Sequence, residues 1–199
     1  MSAEETRDFL THGCETTSRG LVNKSTGRVV KAIMPVHLLG GMADVDAFAK
    51  LASEFGLFLI EDGAECLGAK YKGKGMAGPN SHIDPKRRLI TTSFNGNKIV
   101  TTGGGGALFS HDESVAVHAK HLSTTAKADP IEFYHDELGY NYRLTNVSAA
   151  LGVGQMELLE EYVDRKRAIA ACYAKVLGGI SGVVQLHPEP EHCRSTFWM

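Results

Sequence analysis

Apolar residues in this chain fall into short continuous runs separated by stretches with helical spacing, and that alternation sets the expected elements. Ala32-Ile33-Met34-Pro35-Val36 is the first such run; Gly40-Gly41 then breaks the chain, and Asp44 offers a helix N-cap. Val45, Phe48, Ala49 and Ala52 recur at helical spacing, Gly56 is a natural stop, and Leu57-Phe58-Leu59-Ile60 is a second fully apolar run. A strand, helix, strand unit of this kind normally makes two parallel strands with a right-handed crossover, whose carboxyl ends share one edge of the sheet. His37 and Asp62 follow those ends, and ligands of open α/β sheets bind along that edge.

Further strands are expected at 89–94 and 107–109 and a helix over about 112–122. Residues 130–143 are aromatic and irregular, rich in Tyr, His and Glu, and read as a loop. Thr145 or Asn146 can cap a long helical stretch whose buried stripe is expected at Ala150, Leu151, Leu158, Leu159, Tyr162 and Val163. Glu160, Glu161, Asp164, Arg165, Lys166 and Arg167 form its solvated face. The stretch up to about Lys31 is polar, carries turn residues at Arg19-Gly20 and Ser25-Thr26-Gly27, and is expected to be peripheral.

Composition narrows the partners. Across 199 residues, 21 basic side chains stand against 23 acidic ones, a net charge of −2, with no long block of either sign. Neither nucleic acid nor a membrane surface is therefore an expected partner. Cys14, Cys66, Cys172 and Cys193 are widely separated, with no C-x-x-C, and read as reduced structural thiols. The first residues are acidic and polar, and no apolar stretch approaches the roughly 20 residues needed to span a bilayer, so a cytoplasmic protein is expected.

Three local signals carry chemistry: Ile60-Glu61-Asp62-Gly63-Ala64-Glu65, Ser93-Phe94-Asn95-Gly96-Asn97-Lys98, and Thr101-Thr102-Gly103-Gly104-Gly105-Gly106. Singly, each has a plain reading: a carboxylate capping a turn, a solvated loop lysine, a glycine turn. No Gly-Lys-Ser/Thr follows the glycines, which argues against a nucleotide phosphate loop. Together they fit pyridoxal phosphate, which needs a lysine to bond covalently, an acid partner for the pyridinium nitrogen, and hydroxyls or amides around its phosphate. Lys98, Asp62 and Ser93 could supply these, and the glycines would let backbone approach a bulky cofactor.

These motifs, with Pro35-Val36-His37-Leu38-Leu39-Gly40 before them and Gly139-Tyr140-Asn141-Tyr142-Arg143-Leu144-Thr145-Asn146 after, resemble in order and spacing the DegT/DnrJ/EryC1/StrS sugar aminotransferases. That family is a group of fold-type I pyridoxal-phosphate enzymes. The Ser-Phe-Asn-Gly-Asn-Lys form looks most like the branch acting on nucleotide-linked 4-keto-6-deoxy sugars. The resemblance implies an α/β fold, the partial large domain of such a transferase, with a mostly parallel sheet flanked by helices. It implies 1–31 as a peripheral segment, 32–155 as the core of the cofactor domain, and 156–199 as a linking helix and the truncated start of a small domain. Lys98 would hold the cofactor, Asp62 would pair with the ring nitrogen, Glu65 would lie near the ring hydroxyl and Ser93 would bond the phosphate. Asn141 would reach the phosphate of the neighbouring subunit in a homodimer. His37 suits the active-site wall or a hydrogen-bonded structural role; both readings stand. The implied reaction moves an amino group from an amino acid, expected to be glutamate, to a nucleotide-linked keto sugar, with Lys98 as general base and acid.

Two departures accompany the resemblance. Gly63 replaces the usual alanine, an exchange expected to loosen the turn, and residues 79–88 are more polar than the common link. The family's upstream phosphate-binding turn and ring-stacking aromatic lack counterparts, so the chain reads as a fragment, as from a split or mispredicted coding region. The competing expectation is an inactive fragment or degenerate homologue that acts only by associating with another chain.

Overall fold

The computed structural model describes residues 1–129, 131–180, 182 and 188–199. Helix α1 (Ala3–Asp8), capped by Ser2, runs through a π-helical turn at Phe9–Gly13 into a hairpin of β1 (Cys14–Thr17) and β2 (Gly20–Asn23). This segment is less peripheral than its polarity suggests. Leu10, Cys14 and Leu21 join Phe48, Leu51 and Leu59 in one buried cluster, because its few apolar residues, too irregular to show a period, converge on the helix that follows.

The strand, helix, strand unit forms β3 (Ala32–Ile33), α2 (Val45–Glu54) and β4 (Phe58–Asp62), with Ala32 opposite Phe58 in a parallel pair. Asp44 caps α2 by accepting the Ala47 N–H at 3.2 Å, and the spaced residues Val45, Phe48, Ala49 and Ala52 are buried. Pairing lapses after Ile33 and resumes as a parallel bridge between Val36 and Asp62. There the His37 N–H donates to the Asp62 carbonyl at 2.9 Å and the Asp62 N–H to the Pro35 carbonyl at 3.0 Å.

A small antiparallel hairpin, β5 (Lys70–Tyr71) and β6 (Lys74–Gly75), follows. The polar link at 79–88 is tied down rather than loose: Asn80 donates to Asp46 on α2, and Asp84 caps a 3-10 turn at Pro85–Arg87. It feeds β7 (Arg88–Ser93), parallel to β4, and β8 (Gly106–Phe109), antiparallel to β7, giving the order β3-β4-β7-β8. Because β7 and β8 are antiparallel neighbours, residues 94–105 between them are a hairpin connection, not a strand-to-helix phosphate loop. Helix α3 (Glu113–Ser123) is capped by Asp112. The loop expected at 130–143 is irregular where described; Pro130 lies outside the described residues.

The expected long helix is two helices, α4 (Asn146–Met156), capped by Thr145, and α5 (Leu159–Leu177), with a break at Glu157 and Leu158. Its stripe is also only partly buried. Val163 is enclosed, but α4 has no buried residue, and Leu151 and Leu158 are 53% and 44% exposed. An apolar period marks a face suited to cover, and within the described residues this chain does not supply the cover for α4. Strand β9 (Cys193–Arg194) pairs with β5, and Arg194 and Lys70 meet Glu160 and Asp164 to fasten α5 to that sheet. Cys14, Cys66 and Cys193 are buried, Cys172 is exposed and none is bonded; burial holds the Cys66 thiol far above the usual range. No helix among the described residues is long and apolar enough to cross a membrane.

Candidate active site

Beneath the carboxyl edge of β3, β4 and β7 lies a buried charged triad that reaches down to Arg88, the first residue of β7. The side chains of His37 and Glu61 have no exposed surface, and Arg88 is nearly enclosed. Arg88 Nε donates to Glu61 Oε1 at 2.6 Å, and His37 Nε2 lies 3.1 Å from Glu61 Oε2. Burial pushes the Glu61 carboxyl up, but the hydrogen bonds and charges of His37 and Arg88 outweigh it and hold the group below the ordinary carboxylate range. Nδ1 of His37 accepts the Ala43 N–H at 3.1 Å, so both ring nitrogens are engaged inside the protein. Of the two readings of His37, the geometry matches the hydrogen-bonded structural one.

Asp62 follows Glu61 at the end of β4, its side chain on the opposite face of the strand. Its Oδ1 accepts the Ala64 N–H at 3.0 Å, and its other carboxylate oxygen has no hydrogen bond from the described residues. Gly63 is required here, contrary to the expectation of a loosened turn. A Cβ at Gly63 would sit 2.6 Å from the Thr91 carbonyl oxygen and collide with Met76, because β7 crosses close behind the turn. Ser93 ends β7 on the same edge, two residues beyond the partner of Asp62, and its Oγ accepts the Asn95 N–H at 3.2 Å.

Lys98 stands on the β7–β8 connection. Phe94 closes the base of that loop by donating to the Gly105 carbonyl at 2.9 Å and accepting from Thr102 at 3.0 Å, and the Lys98 N–H turns back to the Asn95 carbonyl at 3.0 Å. The lysine side chain is only 12% exposed, and its Nζ lies 4.0 Å from Glu65 Oε1. Glu65 is itself oriented by the Leu39 N–H, 2.8 Å from Oε2. Lys98 and Glu65 are thus brought together, with the loop after β3 behind them. The same nitrogen also meets Trp198, whose ring centroid is 4.0 Å from Nζ. No local pattern in the sequence marks Trp198 as part of the site, because the contact joins positions a hundred residues apart.

Asn141 is elsewhere. It lines a cavity of 810 Å³ with Thr92, Gly104, Gly106, Lys120 and Tyr142. The cavity beside Lys98, of 340 Å³, is lined by Asn97, Tyr162, Arg165, Lys166 and Trp198 among others, and the two share no residue. Farther along the surface, His121, Asp136 and Glu137 place ligand atoms within 4.8 Å of one another. They are engaged in exposed ion pairs, His121 with Asp136 at 2.6 Å and His118 with Glu137 at 3.0 Å.

The sequence model of the DegT/DnrJ/EryC1/StrS aminotransferase family matches residues 14–199. GDP-perosamine synthase of Escherichia coli O157:H7 is 40% identical over 169 residues, covering 85% of this chain and 44% of that protein. The putative pyridoxal phosphate-dependent aminotransferase EpsN of Bacillus subtilis is 39% identical over 178 residues, covering 88% of this chain and 43% of its own. Among solved structures, a DegT DnrJ EryC1 StrS aminotransferase from Brucella abortus superposes with a TM-score of 0.81 at 25% identity, covering all of this chain and 48% of that one. The chain spans less than half the length of each of these relatives.

Proposed function

Because this chain belongs to the DegT/DnrJ/EryC1/StrS aminotransferase family and has its α/β fold, we propose that it forms the cofactor-binding core of a pyridoxal-phosphate-dependent sugar aminotransferase. The observation that carries the reading is Lys98, a nearly enclosed lysine on the β7–β8 connection with Glu65 beside it. The donor set suits the cofactor. Lys98 offers an amine to bond covalently, Asp62 an oxygen that no described residue engages and that can accept the ring N–H, and Ser93 a hydroxyl whose oxygen accepts from Asn95 and whose hydrogen, given to no described residue, can go to a phosphate. Glu65, held by Leu39, lies within reach of the groups around Lys98. His37 has no ring nitrogen to spare for a substrate.

Pyridoxal phosphate, when bound, supplies an electron sink for the carbanionic character that develops at the donor carbon. Lys98 Nζ, set free when the amino group of the donor takes its place on the cofactor, would be the base that takes the proton from the Cα of that donor, an amino acid we assign as glutamate, and the acid that returns one. The acceptor in this reading is a nucleotide-linked keto sugar, which the 40% identity to a GDP-perosamine synthase supports. Residues 32–155 form the large-domain core and 156–199 lead into a small domain, in a cytoplasmic enzyme. The working enzyme is a homodimer in which Asn141 contacts the phosphate held by the partner. Support for that arrangement comes from the separation of the Asn141 cavity from that of Lys98, and from the exposed Val147, Leu151 and Val153 on α4.

The test is spectroscopic. Mixed with pyridoxal phosphate, the purified chain should develop the absorbance band of a covalent lysine adduct, and borohydride should remove it. Lys98→Ala should give no such band; a band of wild-type intensity in that variant would end the assignment.

A further inference from the structure

Trp198 is the sole tryptophan of the chain, 6% exposed, and its placement follows from both ends of its side chain. Its indole N–H donates to the Asn97 carbonyl at 2.8 Å, so the turn that carries Lys98 also anchors the ring. The ring face then lies 4.0 Å from the Lys98 Nζ, a cation–π distance. The segment that delivers it is fastened along its length. Arg167 donates to the Ser195 carbonyl at 2.7 Å, the Ser195 N–H to Glu189 at 2.6 Å, and the Thr196 N–H to the Gly40 carbonyl at 2.9 Å. Gly40, at φ +83°, admits this approach: a Cβ there would lie 2.7 Å from the amide nitrogens of Phe197 and Trp198 and collide with the Thr196 hydroxyl.

We propose that Trp198 is a positioning residue for Lys98, an aromatic wall that holds the lysine nitrogen within reach of Glu65 and favours its positively charged form, before and after it is joined to the cofactor. The second half of this statement rests on the cofactor reading given above. An indole face attracts a cation and does nothing comparable for a neutral nitrogen. A residue that only filled an apolar gap would influence folding and leave the charge state of Lys98 alone. Among the described residues, the other charged or titratable groups near Lys98 are Glu65, from the turn after β4, and Tyr162, Arg165 and Lys166, which line the same cavity from α5. All are retained when Trp198 alone is changed.

Two measurements on the purified chain test this. In the cofactor-free protein, NMR should show the terminal methylene protons of Lys98 shifted upfield by the indole ring current, and Trp198→Leu should return them to ordinary positions. Ordinary positions in the wild type would overturn the proposal without reference to any cofactor. In the cofactor-loaded protein, the pH midpoint at which the lysine-linked band loses its proton should fall in Trp198→Leu by about half to one and a half units. Trp198→Phe, which keeps a ring but loses the anchor to Asn97, should fall between. A midpoint unchanged in Trp198→Leu, with the adduct mapped to Lys98, would overturn the positioning role while leaving the cofactor assignment intact. An adduct mapped to another lysine would remove the cofactor-linked half, leaving the ring contact to stand or fall on the NMR result.

Discussion

Glu61 and the apolar side chains of α4 stand at opposite extremes of this molecule. One is a carboxylate with no exposed surface, satisfied on both oxygens by His37 and Arg88; the others, Val147, Leu151 and Val153, are hydrocarbon left largely in water. A buried charge survives only where partners meet it with good geometry, and here all of them come from the same chain. Large apolar side chains on a helix are ordinarily covered, and those of α4 receive no such cover from the described residues. The difference divides the candidate site. The side holding Asp62, Glu65 and Lys98 is underpinned internally, whereas the side holding Asn141 adjoins apolar surface left exposed.

Arg88→Met should give the largest effect on this contrast. It strands Glu61 without its cation, and a loss of about 3–5 kcal/mol in urea unfolding is expected. A cost below about 1 kcal/mol, the level of an ordinary surface change, would erase the distinction between the two regions. Next comes Gly40→Ala, which combines a strained positive φ with a collision against the C-terminal segment. A cost of about 1–3 kcal/mol is expected, with a red shift of tryptophan emission as Trp198 leaves its seat. Wild-type stability and unshifted emission would mean the segment is not packed there.

Acid should act on the first region selectively. Glu61 has a folded-state pKa below its unfolded value, so its contribution is fully present above about 4.5 and is lost as pH falls from there through the folded value. Unfolding monitored from pH 6 to pH 3 should show that loss in the wild type. Glu61→Gln, less stable throughout, should show a flatter profile over the same window; parallel profiles would remove Glu61 as the cause. The smallest effect on folding belongs to α4, where Leu151→Ser should change stability by no more than about 0.5 kcal/mol. The same substitution should weaken self-association in sedimentation velocity if the homodimer uses this face; unaltered association would move the interface elsewhere.

What could be read from the sequence follows the same division. The apolar runs of β4 and β7, the Asp44 cap and the parallel pairing are local or nearly so, and the chain writes them plainly. Asp62, Ser93 and Lys98 stand out as candidates because their motifs lie at or just after strand ends. Arg88 is not, since Lys86-Arg87-Arg88 looks like a solvated charge run until the register opposite Leu59 turns its last member inward. The α4–α5 break has no Gly or Pro at Glu157 and Leu158 to announce it. Nor does any local pattern bring Trp198 to Lys98, because that contact depends on how the chain returns through Gly40.

The most direct test of the central claim is to load the chain with pyridoxal phosphate, fix the adduct with borohydride, and locate it by peptide mass spectrometry. The account predicts the label on Lys98. A label on Lys120, which lines the Asn141 cavity, or on Lys166, which lines the cavity beside Lys98, would contradict it.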